Sequence, residues 1–215
     1  MSALLAIEVS PRLGNSISRK LTVRFIEHWM AAHPDGEIIR RDLMKTRLPF
    51  VDLSWIGGAF TPPEQQSPEM KEAIRGSDEL IAELMAADHL VIGTPMFNFS
   101  IPAALKAYID HIVRVGVTVT TQYEGALRGK RATVILAAGS SFAPGTKWES
   151  CDSASAYLRQ ILGFIGINEV AMVIAGGTLA VDNGQTTFAD FAAQFDGQLS
   201  DAARGRTPWP TGHLF

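Results

Sequence analysis

Four short apolar runs, residues 4–9, 89–94, 132–138 and 169–174, are bounded by loop-forming residues and show little alternation of apolar and polar positions. Strands covered on both faces read that way, as in a parallel sheet between layers of helices. Residues 37–42 (EIIRRD) form a more polar fifth run suited to a sheet edge. Between these runs the spacing predicts amphipathic helices over residues 16–33, 66–86, 102–114, 153–164 and 188–203. Leu21, Phe25, His28 and Trp29 carry the helical spacing on the first of them. Strand and helix therefore alternate five times, which predicts an α/β protein built on a doubly wound sheet.

Length supports one domain: 215 residues, with 47% hydrophobic and 19% charged, supply a sizeable core and exclude a disordered chain. Residues 49–68 are too long and too rich in Pro and Gly for a simple connection, and excursions of this kind serve as lids or interface segments. The C-terminal tail, 206–215, ends in TPWPTGHLF and is expected to lie along the surface or a partner. A net charge of −3 gives no pull toward nucleic acid or an anionic membrane. The N-terminus lacks the basic region of a signal peptide. No apolar run approaches the ~20 residues that cross a bilayer. Cys151 is the only cysteine, so no intrachain disulfide forms. These features predict a soluble, cytoplasmic protein.

Five parallel strands match the flavodoxin-like order, whose site lies at the carboxyl ends of the strands. The loops after the first, third and fourth strands then share one edge. The first, Ser10 to Ser18, offers serine hydroxyls and Asn15 where a helix begins, a setting that suits a phosphate. Taken alone it is equally an ordinary serine N-cap. The second places Met96, Phe97 and Phe99 around Asn98, large apolar groups in a loop that would otherwise meet water. They suit a wall for a flat ring, with Asn98 and exposed backbone at its polar edge; the alternative is that they tuck into the core beneath the following helix. The third reads AAGSSFAPG, in which Gly139 permits close backbone approach and Ser140 and Ser141 donate hydrogen bonds. Together the loops suit FMN better than a dinucleotide.

Gly139-Ser140-Ser141-Phe142-Ala143 has the G-x-S-x-A spacing of a hydrolase nucleophile elbow with Ser141 as nucleophile, and Asp152 or Asp182 and His213 follow in triad order. Pro144 and Gly145 interrupt the helix such an elbow enters. An electron carrier of flavodoxin type would share the FMN loops but lack acceptor chemistry of its own. The histidines show no metal-ligand spacing, and no Rossmann fingerprint follows the first strand.

The chain resembles the FMN-dependent NADH azoreductases, a flavodoxin-like family of NADH:quinone oxidoreductases. The residues that carry the resemblance are Ser10-Pro-Arg with Ser16, Ile17 and Ser18, then Pro95-Met-Phe-Asn-Phe, Ile101-Pro102 and Leu105-Lys106. Asp110, Arg114-x-Gly116-x-Thr118 and Leu162-Gly-Phe-Ile-Gly-Ile167 complete it. The resemblance implies hydride transfer from NADH to the flavin N5 and a second step that reduces quinones, azo dyes or similar flat acceptors. It implies that Ser10, Ser16, Ile17 and Ser18 hold the FMN phosphate. The ring would lie on Pro95, Met96, Phe97, Asn98 and Phe99, with Ala137, Ala138, Gly139 and Ser140 at its pyrimidine edge. It also implies a homodimer with active sites at the subunit interface. No catalytic side chain is assigned, because the cofactor carries the redox chemistry, and His111 and Asp110 are expected as surface or interface groups. Two departures stand out: Ala137-Ala138-Gly139-Ser140 replaces a Ser-Arg-Gly-Gly-like run, and Val119-Thr120-Thr121 replaces a Phe-x-Tyr pattern, with Tyr123 a candidate substitute that spacing alone does not establish.

Overall fold

The computed structural model describes residues 2–143 and 145–206. The tail from Thr207, with His213, lies outside the described residues. Five strands, β1 (Ala3–Glu8), β2 (Glu37–Asp42), β3 (His89–Pro95), β4 (Arg131–Ala138) and β5 (Glu169–Gly176), form one parallel sheet in the order β2-β1-β3-β4-β5. The α/β, doubly wound expectation is borne out, and the polar run EIIRRD is an edge strand. The helices are α1 (Ile17–Ala32), α2 (Leu53–Phe60), α3 (Pro68–Ala86), α4 (Ala103–Ile112), α5 (Ser153–Phe164), α6 (Leu179–Asp182), α7 (Phe188–Ala193) and α8 (Asp196–Ala203). Two departures from the sequence pattern appear. Residues 188–203 are two helices joined at Gln194 and Phe195, and the 49–68 excursion contains a helix of its own.

Caps mark where the helices begin. The hydroxyls of Ser16 and Ser67 and the carboxylate of Asp152 accept the free N–H groups of Arg19, Met70 and Ser155 at the starts of α1, α3 and α5. Period-two alternation then sorts the strand residues between two cores. Leu5, Ile7, Leu90, Ile92, Val134 and Leu136 face Leu80, Leu84, Tyr108 and Leu158 of α3, α4 and α5. Leu4, Ala6, Val91, Ile135 and Ala137 face Leu21, Phe25, Trp29 and Leu199 of α1 and α8. Because α1 leaves β1 for one face and α4 leaves β3 for the other, a crevice opens where these neighbouring strands end.

His89 is buried at the start of β3, its Nε2 2.9 Å from Thr133 Oγ1 and its ring edge-on to Phe25 at 5.4 Å. Burial, aided by the charge of Arg131, pushes its pKa from 6.5 down to about 4. Between those values the unfolded chain binds a proton that the fold refuses, so stability declines as pH falls through that window, by up to about 3 kcal/mol. Urea midpoints are expected to drop between pH 6.5 and 4.5, and to drop less in His89→Gln, which does not titrate.

Candidate active site at the carboxyl edge

The first loop leaves β1 at Val9, whose N–H donates to Gly93 O at 3.1 Å and ties the loop to β3. Ser10, Ser16 and Ser18 are buried, and the Ser16 and Ser18 hydroxyls lie 3.1 Å apart at the start of α1. Ser10 Oγ accepts the Arg12 N–H at 3.3 Å. Ile17, also buried, is the first helical residue, so its N–H and that of Ser18 have no acceptor within the helix. The helix dipole and these N–H groups give the loop a partial positive charge that suits an anion.

Arg19 braces this loop. The residue is 9% exposed; Nε donates to Ser10 O at 2.8 Å, Nη1 to Glu8 at 2.7 Å, and Nη2 to Asp42 at 2.7 Å. The pair raises the pKa of Arg19, against a burial that works the other way, and lowers that of Asp42. Sequence reasoning did not single Arg19 out, because a lone arginine in a first turn gives no signal of the carboxylates it will meet.

In the second loop, Phe97 and Ser100 exchange both backbone hydrogen bonds at 2.9 Å, and Asn98 and Phe99 have φ of +49° and +68°. Two left-handed residues inside a closed four-residue turn have the pattern of a type I′ turn. This turn lifts Phe97 and Phe99, each 44% exposed, off the sheet. Met96 and Pro95 stay half-buried, and Met96 packs against the core beneath. In the third loop Ala137 and Ala138 are the buried end of β4, and Met96 N–H donates to Ala137 O at 2.8 Å, joining the second and third loops. Gly139 and Ser140 are half-buried, and the Ser140 carbonyl accepts Gly177 N–H at 3.1 Å. The expected reason for Gly139 changes: a Cβ there would lie 3.2 Å from Leu179 Cγ, so its small size first makes room for α6.

The predicted residues are therefore gathered along one edge by β1, β3 and β4. Three further groups join them unpredicted. Phe142 and Trp148 of the third loop stand against Phe99. Arg12 reaches across to Asp182 of α6 with a two-pronged ion pair at 2.7 and 2.8 Å. An open depression of about 320 Å³ lies on the far side of the first loop, between Leu13, Val23, Arg19 and Asp42, but its buried charges already satisfy one another.

Several expectations are corrected here. His111 is not a surface group: it is 1% exposed, its Nδ1 accepts the Trp55 indole N–H at 3.2 Å and its Nε2 bonds Pro49 O at 2.9 Å. It therefore fastens the excursion onto α4. Asp110, by contrast, is half-exposed and pairs with Lys106. Arg114 and Thr118 build fold: Arg114 is buried against Ser77 and Asp78, and the Thr118 hydroxyl donates to Ile112 O at 2.6 Å. Val119 is buried and carries no ring, and Tyr123 is exposed to solvent. The hydrolase reading is not assembled among the described residues. Ser141 Oγ accepts only the Ala143 N–H, Asp152 caps α5, and Asp182 is taken by Arg12.

A family profile described as flavodoxin-like fold matches residues 2–199. The FMN-dependent NADH:quinone oxidoreductase 8 of Burkholderia lata is 48% identical over 203 residues, covering 94% of this chain and 97% of that protein. A protein of a Jannaschia species, named FMN-dependent NADH:quinone oxidoreductase 2, is 48% identical over 204 residues, covering 95% and 100%. Among solved structures, an azoreductase from Bacillus anthracis superposes with a TM-score of 0.83 at 25% identity, covering 95% of this chain and 99% of that one.

Replacing Arg19 leaves Glu8 and Asp42 half-buried without their hydrogen-bonded cation. Arg19→Met is expected to lower unfolding free energy by about 3 kcal/mol, measured by urea titration at neutral pH. A loss below about 1 kcal/mol shows that the guanidinium is not the brace.

Proposed function

The chain belongs to the flavodoxin-like fold family and, within it, to the FMN-dependent NADH:quinone oxidoreductases, and on that premise we propose an enzyme that oxidises NADH and reduces quinones, azo compounds or related flat acceptors. The carrying observation is the convergence of a serine-lined helix N-terminus and a raised pair of phenylalanines on one sheet edge.

The donor set fits FMN. Ser10, Ser16, Ile17 and Ser18 supply hydroxyl and N–H donors for a phosphate, and Arg19 engages the two carboxylates at the neighbouring strand ends. Pro95, Met96, Phe97, Asn98 and Phe99 give a flat apolar wall for the ring, which Ala137, Ala138, Gly139 and Ser140 border with backbone groups. When bound, FMN supplies the redox chemistry, taking hydride from NADH and passing two electrons to the acceptor in two successive half-reactions. The protein's part is to seat, orient and shield, and no side chain is assigned a proton.

We further propose a homodimer, a single domain over the whole chain and a cytoplasmic location. The first rests on the excursion: Phe50, Leu53 and Phe60 are 78%, 83% and 71% exposed on one short segment, an apolar face too dense for an ordinary surface. A second copy would cover it beside the active site. No described helix is long and apolar enough to cross a membrane.

The purified protein is expected to show a flavin absorption spectrum that bleaches under anaerobic NADH. A flavin band that persists points to an electron carrier, and failure to take up added FMN sinks the reading. Phe97→Ala is expected to weaken FMN binding about tenfold without unfolding the protein. By light scattering, Leu53→Asp is expected to run as a monomer where the parent chain runs as a dimer; two monomeric samples would remove the dimer.

A further inference from the structure

Three rings from two loops meet beside the 97–100 turn. Phe99 lies 5.6 Å from Trp148, with planes at 38°, and 6.3 Å from Phe142 at 72°. The two loops are also joined through the backbone, Ser153 N–H donating to Phe99 O at 3.1 Å. A cluster that only closed a loop would bury its rings. Here Phe99 keeps almost half its surface in solvent, and Phe142 and Trp148 stay half-buried.

The backbone strengthens the case. Phe99 holds φ +68°, a left-handed conformation that glycine or asparagine adopts at far lower cost than a bulky side chain. Strain of this kind persists where the side chain is needed. Lys147 adds a charge: its Nζ sits 4.5 Å from the Trp148 ring centroid, and no described carboxylate forms an ion pair with it. Glu149, two residues on, instead accepts Gly145 N–H at 2.7 Å.

Resting on the reading of the site given above, we propose that Phe142 and Trp148, standing against the flavin wall at Phe99, form a stacking shelf for the electron acceptor. Lys147 at its edge selects flat acceptors that carry an anionic substituent, a sulfonate or a carboxylate. Aromatic faces hold any flat ring with little regard to its substituents. The ammonium, kept near the indole face by a cation–π contact, adds the discrimination.

The test uses the FMN-loaded enzyme with saturating NADH and two acceptors, menadione and naphthoquinonesulfonate. In a two-step mechanism, kcat/KM for the acceptor reports only the half-reaction in which the acceptor is reduced. Lys147→Glu is expected to lower the preference for the sulfonate over the neutral quinone by about fivefold, an effect that shrinks in high salt. Trp148→Ala is expected to lower kcat/KM for both quinones by about tenfold and, because it releases the Lys147 ammonium, to narrow their ratio as well. An unaltered preference in the first variant, or unaltered kcat/KM in the second, overturns the proposal. A parent protein without a flavin spectrum overturns the reading of the site itself, and that is seen before any acceptor is added.

Discussion

The guanidinium of Arg19 joins the end of β1 through Glu8 and Ser10, the end of β2 through Asp42, and the first turn of α1 on which it stands. Few interactions in the molecule touch so many elements at the edge where the chemistry is placed. A parallel sheet must return every connection from the same side, so its carboxyl ends collect loops whose conformations the sheet itself does not dictate. Arg19 removes that freedom from the first loop. It also holds two carboxylates that would otherwise stand uncompensated beside the serine-lined start of α1. Such a group does little net work for stability compared with an apolar replacement, but leaving its partners unpaired is costly. Its value lies in geometry.

The second loop is held by a different device. Its turn closes on itself through the Phe97 and Ser100 backbone, and its neighbours are tied by Met96 N–H to Ala137 O and by Ser153 N–H to Phe99 O. Those bonds let the chain keep Phe99 in a conformation that disfavours it. The wall is therefore rigid although it stands in a loop. Rigid exposed rings lose little entropy when a flat ligand stacks on them.

Much of this was legible in the residues. The strands read clearly because burial on both faces makes them continuous apolar runs, and EIIRRD read as an edge because one side of it meets solvent. The loop residues 95–99 stood out because large apolar groups between a strand and a helix need a reason. What periodicity could not carry was partnership across the sequence. His111 looked like a helix-surface histidine until the Trp55 indole and Pro49 carbonyl closed over it from a segment far earlier in the chain. The α2 helix was hidden for a related reason: Gly57 and Gly58 argue against a helix, yet Gly58 sits where a Cβ would meet Ile74 and the Met70 backbone at 2.6 Å. Tertiary closeness to α3 outweighed propensity there.

Gly139 makes the same point within the site. A small residue after β4 can mean a ligand's close approach or a neighbouring helix's, and the sequence is identical in both cases. The structure puts Leu179 against it, and through the α6 turn that same packing brings Asp182 within reach of Arg12. The rim is thereby closed from the first loop to the last strand's helix. The cation at that rim belongs to the first loop and is held by a carboxylate, whereas the family pattern puts its arginine directly after β4. An arginine already committed to Asp182 polarises a bound ring less than an uncommitted one, since much of its field is cancelled by its partner. The third loop therefore contributes shape and backbone donors more than charge, which leaves Lys147, beyond the turn, as the exposed cation of that loop.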